Sequence, residues 1–143
     1  MRTLSAALVL VTALATPARA DIKGCYERVY SAAHLHKHRG QKVTMMRLQI
    51  GLTKDIDSAQ ADKLWATFRN GRSLATWPLE CSDNHRCFVE GDGGSFHIDE
   101  TADGVKISNE GYIRFGDDED YIEVPDDTEH RVFLLKRVGA GCK

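Results

Sequence analysis

Four cysteines constrain the fold of this chain more than any other feature. They are Cys25, Cys81, Cys87 and Cys142. An even number of cysteines in a small exported domain is typical of disulfides. The spacing favours Cys81 with Cys87 across a short hairpin, and Cys25 with Cys142 between the two ends of the domain. Two other pairings and a four-cysteine zinc site are the alternatives, although the five residues between Cys81 and Cys87 exceed the usual zinc-ribbon spacing.

The first 20 residues have the layout of a secretory signal peptide. Arg2 precedes an apolar run from Leu4 to Ala15, and small residues stand at Ala18 and Ala20. This pattern predicts cleavage after Ala20. The apolar run is shorter than the roughly 20 residues of a membrane-spanning helix. We therefore expect a single domain over residues 21–143, located in the periplasm or the medium, with no membrane anchor after cleavage.

The charge balance excludes two classes of partner. The chain has 19 Lys and Arg against 21 Asp and Glu. Without Arg2 and Arg19 the count is 17 against 21, a net charge of −4. Nucleic acids and anionic membranes are held mainly by clustered Lys and Arg. An overall acidic domain is therefore not expected to bind either of them.

Short β-branched and aromatic runs recur along the chain. They are separated by turn sequences such as Ala102-Asp103-Gly104, Asn109-Glu110-Gly111 and Gly116-Asp117-Asp118. No alternation of strands with long helices is visible. The pattern predicts a mainly β fold, a small antiparallel β-barrel or sandwich of about eight strands with room for one short helix.

Residues 58–69 support two incompatible interpretations. Ser58 is a candidate helix N-cap, and the apolar residues that follow it have helical spacing. Against this, Asn70-Gly71 between two apolar runs is a strong signal for a hairpin with a type I′ turn. We favour the hairpin.

Three histidines, His34, His36 and His38, form the most suggestive candidate site. In an extended conformation alternate residues share one face, so three imidazoles could bind Zn or Cu. The alternative is a solvated basic loop, and a short helix would separate His36 from the other two.

The five residues between Cys81 and Cys87 are the second candidate site. A disulfide would make this tip a rigid loop, and preorganised loops bind partners at a lower ordering cost. Asp83, His85 and Arg86 are its candidate partner-binding residues. A plain stabilised turn is the alternative.

Residues 99–110 follow the outline of an EF-hand calcium loop, but Lys106 stands at a position that is normally apolar. A hairpin turned at Asp103-Gly104 explains the same residues.

No sequence motif for a catalytic nucleophile or a zinc protease is present. The sequence therefore favours a non-catalytic, inhibitor-like recognition domain with a protein partner in the cell envelope. The alternative function is periplasmic transition-metal binding through the histidines.

Overall fold

The computed structural model describes residues 21–51 and 61–142. The predicted signal peptide and Ser58 lie outside these ranges. The elements in chain order are β1 (Gly24–Val29), α1 (Ala32–Lys37), β2 (Val43–Ile50), β3 (Lys63–Phe68), β4 (Ser73–Ala75), β5 (Leu79–Cys81), β6 (Arg86–Val89), β7 (Gly94–Glu100), β8 (Gly104–Gly116), β9 (Tyr121–Pro125) and β10 (Val132–Gly139).

Nine strands follow one antiparallel path in the order β4-β3-β2-β1-β10-β8-β7-β6-β5, and β9 pairs with β8 beside it. The sheet curls into a half-barrel. Its edge strands β4 and β5 are consecutive in the chain and are separated by only three residues, 76–78. The predicted mainly antiparallel β fold with a short helix and two disulfides is confirmed. The barrel-like alternative describes it better than the sandwich.

Alternation of apolar and polar residues determines which face of the sheet is buried. In β3, Leu64, Ala66 and Phe68 are buried while the residues between them are only half-buried. The inward residues of the other long strands fill the concave side in the same way. The ring of Phe68 meets Phe115 of β8 edge to face at 5.6 Å. The two halves of the curled sheet are thus joined by side-chain packing.

The hairpin predicted at Asn70-Gly71 is confirmed, with β3 paired to β4. The predicted type I′ turn is wrong, because Gly71 has a positive φ of 81° and Asn70 does not. The Phe68 carbonyl accepts from the Gly71 N–H at 2.9 Å, and the Phe68 N–H donates to the Arg72 carbonyl at 2.8 Å. This is a type I turn followed by a left-handed glycine. The Asn70 side chain accepts from the Arg72 N–H at 3.0 Å, which favours this form.

Both predicted disulfides are confirmed. Cys25 in β1 is bonded to Cys142 after the last strand, and Cys81 is bonded to Cys87, its register partner in the β5–β6 hairpin. The first bridge ties the end of the chain to the middle of the sheet. The second fixes one edge of the sheet.

Residues 99–110 form the β7–β8 hairpin rather than an EF-hand. The Thr101 N–H donates to the Gly104 carbonyl at 3.0 Å across the turn. Strands flank this turn on both sides, whereas an EF-hand loop needs helices.

In the part of the chain that the structure describes, no helix has the length and apolar character needed to cross a membrane.

Candidate functional site

The tip between Cys81 and Cys87 has a fixed backbone. The Ser82 N–H donates to the Arg86 carbonyl at 2.9 Å, and the His85 N–H donates to the Ser82 carbonyl at 2.9 Å. His85 has a φ of 61°, which places it in the left-handed region. The disulfide and these two hydrogen bonds leave the loop little freedom to rearrange.

One further hydrogen bond lies within the tip, and another joins the tip to β7. The Asn84 side-chain oxygen accepts from the Arg86 N–H at 3.3 Å. The His85 carbonyl accepts from the Ile98 N–H in β7 at 2.9 Å. The tip is therefore held by the sheet as well as by its disulfide.

The structure gives the three predicted tip residues different surroundings. Asp83 is exposed, and no hydrogen bond or ion pair within residues 21–51 and 61–142 engages its carboxylate. His85 is half-buried. The Arg86 guanidinium donates from Nε to the Glu110 carboxylate at 2.7 Å and lies 4.9 Å from the centre of the Phe88 ring. Arg86 is thus held in one orientation, with about half of its side chain exposed.

Two exposed aromatic residues border this tip. Phe88 is 46% exposed and Trp77 is 41% exposed, whereas their apolar neighbours Leu79 and Val89 are buried. Phe88 is exposed because Cys87 and Val89 occupy the inward positions of β6. All four residues are close to the tip in sequence, but proximity in sequence does not separate the buried ones from the exposed ones. The alternation of outward and inward residues along β6 is the sequence signal that could have separated them.

Glu80 lies opposite Phe88 in the register of the hairpin and is exposed. We call Glu80, Asp83, Arg86 and Phe88 the tip surface. It combines an aromatic ring, a guanidinium group and two carboxylates on one disulfide-bonded hairpin. Aromatic residues and Arg carry a large share of the binding energy in protein interfaces. The tip surface therefore has the composition of a recognition site.

The histidine segment is helical, so the extended conformation that would align three imidazoles is wrong. Ser31 caps α1, because its hydroxyl accepts from the His34 N–H at 3.1 Å. The helix brings His34 and His38 together as stacked rings with centroids 4.2 Å apart. His36 is separated from them and is exposed.

Both stacked imidazoles already have partners within the domain. His34 Nε2 is 2.9 Å from the Gln41 side-chain oxygen, and His38 Nδ1 is 2.9 Å from the Glu129 carboxylate. Within the described ranges, no three His, Cys, Asp or Glu side chains are grouped so that they could hold a metal ion. The predicted Zn or Cu ligands therefore do not form a preassembled three-ligand site.

His130 was not identified from the sequence, although it is fully buried. Its Nδ1 lies 2.7 Å from the Asp127 carboxylate, and its Nε2 accepts from the Lys42 N–H at 2.9 Å. The imidazole is therefore the neutral tautomer that carries its proton on Nδ1. Burial acts to raise the pKa of Asp127, but the hydrogen bond from His130 and two backbone N–H donors bring it below its ordinary value. The arrangement joins the β9–β10 connection to the start of β2.

The acidic run of residues 116–129 is used largely within the domain. Asp117 accepts from the N–H groups of its own turn. Five other carboxylates of the run pair with basic groups, namely Asp120 with Arg72, Glu123 with Arg114, Asp126 with Arg131, Asp127 with His130 and Glu129 with His38. These carboxylates therefore contribute to the structure of the turns.

Comparisons of the chain with protein-family models, with curated proteins and with solved structures found no match. The geometry of the described residues is accordingly the basis for the functional argument.

Proposed function

We propose that this protein is an exported, non-catalytic recognition domain that presents the tip surface to a protein partner in the cell envelope. Two disulfides indicate an oxidising compartment, and the layout of residues 1–20 supports the periplasm or the medium. The proposal includes an inhibitor-like mode, in which the disulfide-bonded tip enters a cleft of its partner.

The observation that carries this proposal is the preorganised backbone of residues 82–86. Immobilising a flexible side chain or loop on binding costs free energy, about 0.5 to 1.5 kcal/mol for each rotamer-rich side chain. Here the hydrogen bonds, the disulfide and the left-handed His85 fix the loop before any partner arrives. The tip can therefore bind with little ordering cost.

The charges of the tip surface define the chemistry of its partner. Asp83 offers an unpaired carboxylate, and Glu80 adds a second exposed one. Phe88 offers an apolar face, with Arg86 stacked against it. A complementary partner surface has a basic group facing Asp83 and an apolar pocket for the Phe88 ring.

The test compares tip variants as bait for a cell-envelope extract. We expect Asp83→Ala combined with His85→Asn to lose the captured partner, because Asp83 is an exposed member of the tip surface and the half-buried His85 lies in the same loop. Asparagine is chosen at His85 because it tolerates a positive φ. The control is Asp118→Ala, which removes one exposed carboxylate from the β8–β9 turn. The melting temperature of each variant is recorded alongside.

Unchanged capture by the tip variant, at an unchanged melting temperature, would overturn the proposal. Loss of capture in the Asp118→Ala control would equally refute it, since net charge alone would then explain binding. A third variant, Cys81→Ala with Cys87→Ala, keeps the tip side chains and removes their covalent fixation. It should bind the same partner more weakly.

Metal binding is the weaker candidate. His34 and His38 alone come together, and each has a hydrogen-bonding partner that a metal ion would have to displace. The recognition proposal needs no such rearrangement.

A further inference from the structure

A pocket of about 360 Å³ lies between three segments of the chain that are distant in sequence. The α1–β2 loop contributes residues 39–42, the end of β3 and the turn after it contribute residues 68–70, and β9 contributes Ile122. The tip surface has no residue in it. The pocket therefore needs an explanation of its own.

The walls of the pocket include two apolar side chains. Phe68 is buried, and its ring is fixed by the edge contact with Phe115. Ile122 is half-buried and packs against the hydrophobic core. These two side chains form the apolar part of the pocket wall.

Three cationic side chains line the same pocket, and one of them is rigidly held. Arg69 donates from Nε to the Gln41 carbonyl at 2.6 Å. Its Nη2 donates to the Leu35 carbonyl at 2.6 Å and to the His38 carbonyl at 3.0 Å. Arg69 thus fixes the α1–β2 loop that carries the other two cations, Arg39 and Lys42.

Arg39 and Lys42 are exposed. Among the residues that the structure describes, neither side chain takes part in a hydrogen bond or an ion pair. Within residues 21–51 and 61–142, no carboxylate lines the pocket. Asp120, two residues before Ile122, pairs with Arg72, and Glu129 pairs with His38. The rim of the pocket therefore carries positive charge that the described residues leave unpaired.

We infer that this pocket binds a small organic anion with an apolar body, such as a medium-chain carboxylate. Ligand pockets are concave, mostly apolar and equipped with a few polar groups that fix orientation. Here Phe68 and Ile122 would contact the apolar body, while Arg39 and Lys42 would bind the carboxylate. Arginine in particular can bind a carboxylate through two parallel hydrogen bonds.

The size and charge of the site favour a small ligand over a polymer. Its volume of about 360 Å³ is near the low end of ligand pockets. The whole chain carries a net charge of −2, which opposes the approach of an extended polyanion. A free carboxylate of modest length satisfies both conditions.

The experiment is calorimetric titration of the full protein with octanoate, and separately with 1-octanol. We expect saturable one-to-one binding of octanoate, and binding of 1-octanol at least tenfold weaker because it lacks the charge. Arg39→Gln with Lys42→Gln should reduce octanoate affinity at least tenfold. The matched control is Lys23→Gln with Lys63→Gln, which removes the same charge outside the pocket and should leave the affinity unchanged.

A pocket-filling variant, Ile122→Trp, separates the apolar contribution from the ionic one. It should abolish octanoate binding while the melting temperature stays within a few degrees of the wild type, since Ile122 is only half-buried.

The inference would be overturned if octanoate did not bind, or if 1-octanol bound with the same affinity. It would also be overturned if the control pair of substitutions lost as much octanoate affinity as the pocket pair. Preferential binding to phosphatidylglycerol vesicles would overturn it too, because it would assign the cations to a membrane surface instead. The result is independent of the tip proposal, because the Asp83 and His85 variants leave the pocket residues intact.

Discussion

Removing each of the two disulfides by itself should lower the free energy of unfolding by a different amount. The sequence separation is 117 for Cys25 and Cys142 but only 6 for Cys81 and Cys87. A cross-link removes entropy from the unfolded chain, and the removed entropy grows with the logarithm of the loop length. For these loops the chain-entropy relation gives about 5 kcal/mol for the long bridge and about 2.4 kcal/mol for the short one at 25 °C.

These free energies can be converted into melting temperatures. Unfolding entropy is about 2.1 cal/mol/K per residue, so a chain of this size loses about 4 °C for each kcal/mol. We expect a fall of about 20 °C for Cys25→Ala with Cys142→Ala, and of about 10 °C for Cys81→Ala with Cys87→Ala. Alanine is the appropriate replacement because Cys25 and Cys87 are buried and a serine hydroxyl there would need a partner.

The assay is urea unfolding at pH 7, followed by tryptophan fluorescence and by far-ultraviolet circular dichroism. Coincident transitions from the two probes would establish two-state behaviour, which the comparison of free energies requires. In each variant the unfolding free energy should also fall more steeply with urea concentration, since the unfolded state is less constrained and exposes more surface. Losses that agree within about 0.5 kcal/mol, or a larger loss for the short bridge, would refute the entropic reasoning.

Two further predictions concern a glycine and a carboxylate. Gly94→Ala should cost about 3 kcal/mol or more of unfolding free energy, because φ is 90° there and an added Cβ would lie 1.9 Å from the Tyr112 carbonyl oxygen. Gly71→Ala is the matched control, with a φ of 81° and open space around the added carbon, and should cost only about 1 kcal/mol; equal losses in urea unfolding would contradict the steric argument. The hydrogen bond from Lys106 lowers the pKa of Asp99 in the folded protein, so its contribution to stability is complete above the unfolded pKa of about 3.9 and is lost as the pH falls through the folded value. Asp99→Asn should therefore reduce the melting temperature at pH 7 and flatten its fall below pH 4, and an unchanged acid profile would show that this carboxylate has no such role.

Local signals were sufficient to predict much of the fold. The hairpin at Asn70-Gly71 and the bridge between Cys81 and Cys87 each depend on residues that are close in sequence. The curl of the sheet does not depend on residues that are close in sequence. It depends on β8, which pairs with β7, with β10 along its first half and with β9 along its second half. A strand with three partners cannot be recognised from alternation alone.

The candidate sites also differ in how far they could be predicted from residues that are close in sequence. The six-residue helix that separates His36 from His34 and His38 is too short for helical periodicity to reveal it. The pocket near Arg39 and Lys42 combines three segments that meet only after the sheet has folded. By contrast, the tip is contiguous in sequence, so its rigidity could be predicted before its neighbours Phe88 and Trp77 were known to be exposed.

The edge position of the tip indicates how its proposed partner would be recognised. An exposed sheet edge can pair with another strand, and proteins limit this by keeping edge strands short. The edge strand β5 has only three residues, and Pro78, which has no backbone N–H, directly precedes it. Its backbone therefore offers little for strand addition. Phe88 and Trp77 nevertheless stay exposed at this edge, and neither belongs to the hydrophobic core of the described residues. We therefore expect recognition through side chains held on a rigid hairpin rather than through backbone pairing.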